Sequence, residues 1–332
     1  MYADLNIPFI VTENDPARKT GKKDKKGKAP VAADGVDRDD AKMQWVGIES
    51  ELRRSLETRT RTLIHLGYSV LCYEHYVKNF DASTHSSPFP KHRAVFPDLD
   101  TRSSNSARSI LQLTRLTIEL DEDGNSAKVL NQNMADTLKS YDILAVRVTG
   151  PNSFNHACLN MCTPSPIAAH IIQIDLARNT RLPFYLKRTT TGKAIADGAF
   201  FEVSYGAALD GNDEYGRRNL IAGVKEILRV TNGKGVIFTS GVKNALHLRS
   251  PGDVMNLPSR GTVFGMNQAL AKKALVDNPK TVIKNGDSRR LFKGIFSDPV
   301  LHQSSTSSGA SKRSNEDMSK PCTTPSHKKS KQ

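Results

Sequence analysis

Apolar and polar positions along the chain follow two alternating periods. Near-continuous apolar runs at 2–7, 68–76, 111–120, 141–148 (YDILAVRV), 170–176 (HIIQIDL), 199–205 (AFFEVSY) and 235–241 (GVIFTSG) predict strands, because strands covered on both faces lose the in-out alternation of half-exposed ones. Between them the spacing widens to three or four. Residues 43–66 place Trp45, Ile48, Leu52, Leu56 and Leu63 on one helical face and stop at Gly67, a residue suited to the left-handed position that closes a helix. Residues 133–140, 153–162, 190–198, 214–230 and 267–277 predict further helices, and TVIKNG at 281–286 predicts one more strand. Strand and helix alternating over roughly 250 residues predict a single TIM-like (β/α) barrel of the α/β class spanning 1–300.

Three stretches break the pattern. Residues 12–42 are nearly free of large apolar side chains, and within them 16–30 (PARKTGKKDKKGKAP) hold seven Lys/Arg and one Asp; such a segment cannot bury enough apolar surface to offset its ordering entropy, so a disordered basic insert is expected after the first strand. Residues 301–332, rich in Ser, Thr and Lys, predict a disordered basic tail. Residues 81–108, with Ser, Pro and Arg clusters, predict a long surface loop.

Charge narrows the partners. The chain of 332 residues carries a net +14, of which 13–44 contribute +2 and 301–332 contribute +4, leaving +8 on the barrel. A folded body with that surplus attracts polyanions, nucleic acid foremost. No apolar run reaches the ~18 residues of a membrane span, and MYADLNIPFI lacks the basic and long apolar regions of a signal peptide. Four cysteines, Cys72, Cys158, Cys162 and Cys322, do not make a disulfide framework in a chain this long, which points to a reducing, intracellular compartment.

Barrel enzymes work at the carboxyl ends of their strands. Strand one ends in Asp4-Leu5-Asn6, with both polar side chains expected on one side, where a metal-dependent phosphoesterase would want His-x-His; later strand ends offer His75, Arg147, Asp175, Glu202 and Ser240. One histidine among scattered carboxylates is a poor set of ligands for a borderline metal. Cys158 and Cys162, four apart with His156 nearby, have the wrong spacing for a zinc knuckle and read as small buried hydrophobes. Nucleophile and phosphate-loop motifs are absent. The expectation is therefore no catalytic residue, metal or cofactor.

Basic residues are more informative, because they gather at loops. Arg178, Arg181, Lys187, Arg188 and Lys193 surround LPFYLKRTTTGKAI; Arg217 and Arg218 follow YGAALDGNDEYG; Lys243 and Arg249 lie in SGVKNALHLRSPGD; Arg289 and Arg290 close the folded region. Lys and Arg are ordinary surface residues, but clustering at loops that a barrel brings together favours a phosphate-binding face.

The strings MYADLNIPF, LGYSVLCYEHY, YDILAVRVTGPNSFNHAC, IIQIDLA, LPFYLKR, AFFEVSY and TSGVKNALHLRSPGDVMNL occur in the order seen in the thirty-kilodalton protein subunit family of ribonuclease P, which the chain resembles over 1–10 and about 45–290. The resemblance implies a TIM-like barrel related to the polymerase-and-histidinol-phosphatase superfamily but without its metal ligands, in keeping with Asp4 and Asn6 at the His-x-His positions. It implies a non-catalytic, RNA-binding subunit of a particle whose RNA removes the 5′ leader of precursor tRNA, shared in eukaryotes with ribonuclease MRP, which processes pre-ribosomal RNA. Implied partners are the ribonuclease P and MRP RNAs, a small RRM-like protein subunit and other subunits of the particle, in the nucleus and nucleolus. By motif, Lys187, Arg188 and Arg249 are the RNA-contacting candidates; Lys193, Arg217, Arg218 and Lys243 rest on charge and position. The rival readings are an active phosphoesterase of the same superfamily and a barrel serving purely as a protein scaffold.

Overall fold

The computed structural model describes residues 1–9, 50–78, 80–81, 85, 87–90, 94–99, 110–122, 134–209, 215–258 and 263–291. The insert at 12–42, the tail at 301–332, Trp45 and Ile48 lie outside them. Among the described residues seven strands form one parallel sheet in sequence order: β1 (Ala3–Phe9), β2 (Val70–Val77), β3 (Leu111–Leu120), β4 (Ile143–Val148), β5 (Ile171–Ile174), β6 (Phe200–Ser204) and β7 (Val236–Thr239). The sheet curls until its two edges nearly meet. Gly241 N donates to Asn6 O at 3.0 Å and Ser240 Oγ to the same carbonyl at 2.9 Å. Arg59 fastens this seam from outside, its Nη1 donating to Pro8 O at 2.8 Å and to Val242 O at 3.1 Å. The result is a TIM-like barrel, as the alternating periods predict.

The connecting helices are α1 (Ser50–His65), α2 (Ala135–Lys139), α3 (Pro151–His156, continued by a π-helical turn over Ala157–Met161), α4 (Arg188–Ala196), α5 (Gly216–Thr231), α6 (Pro251–Asn256) and α7 (Gln268–Arg290). Local chemistry sets their ends. Gly67, at φ +99°, stops α1; Asn232, at φ +52°, ends α5; Ser250 Oγ accepts from Asp253 N at the start of α6, and Asn267 Oδ1 from Ala269 N at the start of α7.

One expected strand is not there. TVIKNG lies inside α7, whose buried positions Ala271, Ala274, Leu275, Asn278, Val282, Gly286 and Arg289 keep a helical period straight through it. The β-branched triplet Thr281-Val282-Ile283 misled; packing decided, since Val282 plugs the barrel floor among Leu5, Val70, Cys72 and Ile143. The described part of 81–108 is irregular apart from a single turn at Pro97–Leu99, and Phe89, Val95 and Phe96 are buried against the core.

The barrel interior is layered along its axis. On β2 to β7 the inward positions run from apolar to polar: Cys72 then Glu74 on β2, Leu113 then Arg115 and Thr117 on β3, Ala145 then Arg147 on β4, Ile171 then Gln173 on β5, Phe200 then Glu202 and Ser204 on β6, Ile237 then Thr239 on β7. The outward positions, Leu71, Leu116, Val146, Ile172, Phe201 and Phe238 among them, form a second apolar layer under the helices. The lower half is a dry core and the upper half is polar.

Candidate nucleic-acid interface and the barrel mouth

Arg115 stands at the centre of the polar layer with no exposed surface. Its Nη1 and Nη2 reach Glu202 Oε1 at 2.9 Å and Oε2 at 2.6 Å, the two-pronged arrangement a guanidinium makes best. Nε donates to Thr117 Oγ1 at 3.0 Å and Nη1 also to Leu5 O at 3.0 Å, while Nη2 lies 3.2 Å from Glu74 Oε1. Thr239 Oγ1 at 2.7 Å and Asn6 Nδ2 at 3.0 Å donate further bonds to Glu202 Oε1, and Thr117 donates to Glu74 at 2.6 Å. Burial pushes the Glu202 carboxyl up, but the guanidinium reverses this and leaves it below the usual carboxylate range. Glu74, hydrogen-bonded by Thr117 and touched only by the edge of that guanidinium, is held above it because burial outweighs both.

The two strand-end residues Asp4 and Asn6 do not act as a pair. The β1 register slips between Asp4 and Ile7; Asn6 turns to Glu202 inside, whereas Asp4 Oδ1 accepts from Ser240 N at 3.0 Å at the seam. Burial raises Asp4 to about 6, against the hydrogen bonds from Ser240 and Asn6, and its Oδ2 finds no partner. His75 faces the outer layer, with Nδ1 2.7 Å from the Tyr141 hydroxyl and its ring 5.3 Å from that of His85; burial lowers it to about 4.

These donor sets do not fit the metal centre of a phosphoesterase barrel. The interior carboxylates are committed to a guanidinium, and among the described residues no group of three His, Cys, Asp or Glu is placed to hold an ion. Cys158 and Cys162 are buried, with thiols that burial pushes far up. At the mouth, Arg147 pairs with Asp175 at 2.6 Å and lies over the Tyr76 ring.

The candidate basic residues are all exposed, and they fall into separate groups. Lys187 precedes α4 and Arg188 begins it, where Arg188 Nη2 donates to Asn232 Oδ1 at 3.0 Å and weakly to Arg229 O at the end of α5. Lys193 lies one turn on and is engaged by Asp197 and Leu159 O. Arg217 and Arg218 occupy the opposite end of α5, about 20 Å away at 1.5 Å per residue. With them goes Arg249, which shares a groove with Arg217, Leu209, Ile221 and Phe264. Two tyrosines hold the Arg249 backbone: its N–H donates to Tyr205 Oη at 3.1 Å and its carbonyl accepts from Tyr68 Oη at 3.2 Å. Lys243 stands apart at the barrel mouth. Arg289, by contrast, is buried, donating to Leu138 O and Tyr141 O at the barrel floor; it ties α7 to the start of β4. Sequence reasoning missed Arg115, Glu74 and Thr117, which carry the interior network; the signal for Arg115 and Thr117 is their period-two spacing with Leu113, which puts all three on the same face of β3.

The site as a whole is a parallel barrel of TIM-like type whose polar interior is closed on an arginine, with the candidate cations outside at loops and helix ends. The chain belongs to the RNase P subunit p30 family, whose profile matches residues 1–291. It is similar to ribonuclease P protein subunit p30 of Mus musculus, 31% identical over 249 residues, covering 74% of this chain and 85% of the relative. It is also similar to the probable ribonuclease P protein subunit 3 of Schizosaccharomyces pombe, 28% identical over 236 residues, covering 71% and 88%. A chain in the structure of archaeal ribonuclease P with mature tRNA superposes with a TM-score of 0.48 at 13% identity, over 70% of this chain and 87% of that one.

Proposed function

We infer that this chain works as a non-catalytic, RNA-binding protein subunit of the ribonuclease P ribonucleoprotein, the particle that removes 5′ leaders from precursor tRNA, and that it is shared with ribonuclease MRP. The observation that carries the reading is membership of the RNase P subunit p30 family over the whole described barrel. The exposed cations Lys187, Arg188, Lys193, Arg217, Arg218, Lys243 and Arg249 support contact with RNA phosphates, and the commitment of Glu74 and Glu202 to Arg115 speaks against phosphoester hydrolysis at the barrel centre. Partners in this reading are the ribonuclease P and MRP RNAs, a small RRM-like subunit and other proteins of the particle. Basic clusters at 18–28 and 312–331 support delivery to the nucleus and nucleolus. Affinity purification of the tagged full chain from cells tests this directly. Both catalytic RNAs are expected to co-purify; recovery of neither would refute the reading, and recovery of ribonuclease P RNA alone would remove the MRP part.

A further inference from the structure

The barrel mouth holds a cavity of about 440 Å³, within the ~300–1,000 Å³ range of small-ligand sites, with Lys243 alone of the candidate cations in its lining. Two of the side chains that line it offer acceptors without a partner. Asn6 is 1% exposed, and because its Nδ2 donates to the acceptor-only Glu202, its amide orientation is fixed with Oδ1 as the remaining polar atom. That Oδ1 has no partner, and neither has the buried Gln173 Oε1 on the same cavity. Two buried acceptors without donors are costly unless something that donates enters. One wall is flat and electron-rich with a cation on it: Tyr76 is 38% exposed, and the Arg147 guanidinium, held by Asp175, lies 5.5 Å from its ring centroid. Exposed Lys243 stands at the rim.

We propose that this mouth receives one unpaired RNA base, stacked on the Tyr76–Arg147 pair, with N–H groups of its edge donating to Asn6 Oδ1 and Gln173 Oε1 and Lys243 meeting an adjoining phosphate. Single-stranded RNA is read in this manner elsewhere, by stacking on aromatic rings or guanidinium planes and by hydrogen bonds to exposed base edges. Guanine suits two acceptors, since N1–H and N2–H₂ lie side by side, whereas uracil offers a single N–H. The proposal rests on the RNA-subunit reading above and adds to it a base-recognising site apart from the cations of α4, α5 and Arg249.

Titration of the full chain with guanosine 5′-monophosphate, uridine 5′-monophosphate and lysinamide tests it, together with Gln173→Met and Tyr76→Leu and with filter binding of ribonuclease P RNA. The guanine nucleotide is expected to bind more tightly than the uracil one, and each substitution to weaken it by about tenfold, the scale of a single stack or hydrogen bond. Melting temperatures of the variants, measured alongside, identify any loss that comes from unfolding, and the two substitutions at different walls serve as each other's control. Equal guanine-nucleotide affinity in wild type and both folded variants, with ribonuclease P RNA still bound, overturns the base site and leaves the subunit reading standing. Lysinamide binding that depends on Gln173 where guanine nucleotide does not bind overturns it in favour of an amine from a neighbouring protein. Failure to bind ribonuclease P RNA at all refutes the underlying reading and the base site with it.

Discussion

At the scale of single residues, Arg115 places one guanidinium between two buried carboxylates that would otherwise repel each other. Its worth lies in the arrangement around it: the same pair in isolation repays its desolvation only when every donor and acceptor is met, and here Leu5 O, Thr117, Asn6 and Thr239 meet them. Arg115→Met should therefore cost about 3–5 kcal/mol, because Glu202 and Glu74 are left buried without a cation, and Arg115→Met with Glu202→Gln should cost clearly less. Urea unfolding of the three proteins measures this; equal losses in single and double variants would mean that Glu202 does not depend on Arg115. Asp4 gives a pH effect of definite sign. Its folded value is raised to about 6 from 3.8, so between those values the folded state holds a proton the unfolded state has released, and stability from this group falls as pH rises from about 4 to about 6. A shift of that size sets a ceiling of about 3 kcal/mol. Asp4→Asn should remove that component, so that the difference in melting temperature between variant and wild type grows in the variant's favour across pH 4–6 and then levels; a constant difference would show that Asp4 does not titrate there. Sequence shows the period-two placement of Arg115 but not what it pairs with, and it does not show the role of Asp4. Asp4 looks like half of a ligand pair until the register slip separates it from Asn6, and Arg115 looks like one more cation until its strand is known to line a closed barrel.

At the scale of elements, the seven strands and the helices that separate them were legible because burial on both faces writes continuous apolar runs, and helices facing one sheet write a 3.6-residue stripe. Leu111–Leu120 is recovered with both ends in place, and Gly67 marks the end of α1. The failure at TVIKNG has a definite cause: six residues are too short for period to outvote β-branched composition, and the helix is fixed by what it packs on. Asn278 Nδ2 donates to Val236 O at 2.7 Å, Val282 closes the barrel floor, and Gly286 lets the helix approach β4. A Cβ at Gly286 would lie 2.5 Å from Asp142 O, backbone against backbone. Gly286→Ala, which in an exposed helix would stabilise by about 1 kcal/mol, should here destabilise by about 1–3 kcal/mol through overpacking. A raised melting temperature in that variant would mean that α7 is not seated on β4 as described.

At the scale of the whole molecule, the surplus of positive charge is legible from composition, but its division is not, because only the fold shows which loops share an end of the barrel. Arg188 at one end of α5 and Arg217 with Arg218 at the other stand about 20 Å apart along the helix, the span of several nucleotides, and Arg249 is held beside the second group by Tyr68 and Tyr205. An RNA that contacts both groups must run along the outside of α5; an RNA that contacts one runs across a single end. Salt dependence separates these, since each phosphate that the protein no longer neutralises lowers the slope of log affinity against log salt by about 0.7–0.9. Reversal of Lys187 and Arg188 to Glu should lower the slope for ribonuclease P RNA by up to about two such steps, and reversal of Arg217, Arg218 and Arg249 by up to about three. Combined, the two sets should add, because groups this far apart without shared partners act independently. Surface substitutions of this kind usually change stability little, so thermal melting of the variants provides the control; Arg188 is the exception to watch, since it also caps α5 through Asn232. If only one set changes the slope, the path along α5 is excluded and the RNA lies at that end alone; if neither does, the exposed cations of α4, α5 and the α6 loop are not the RNA-binding face.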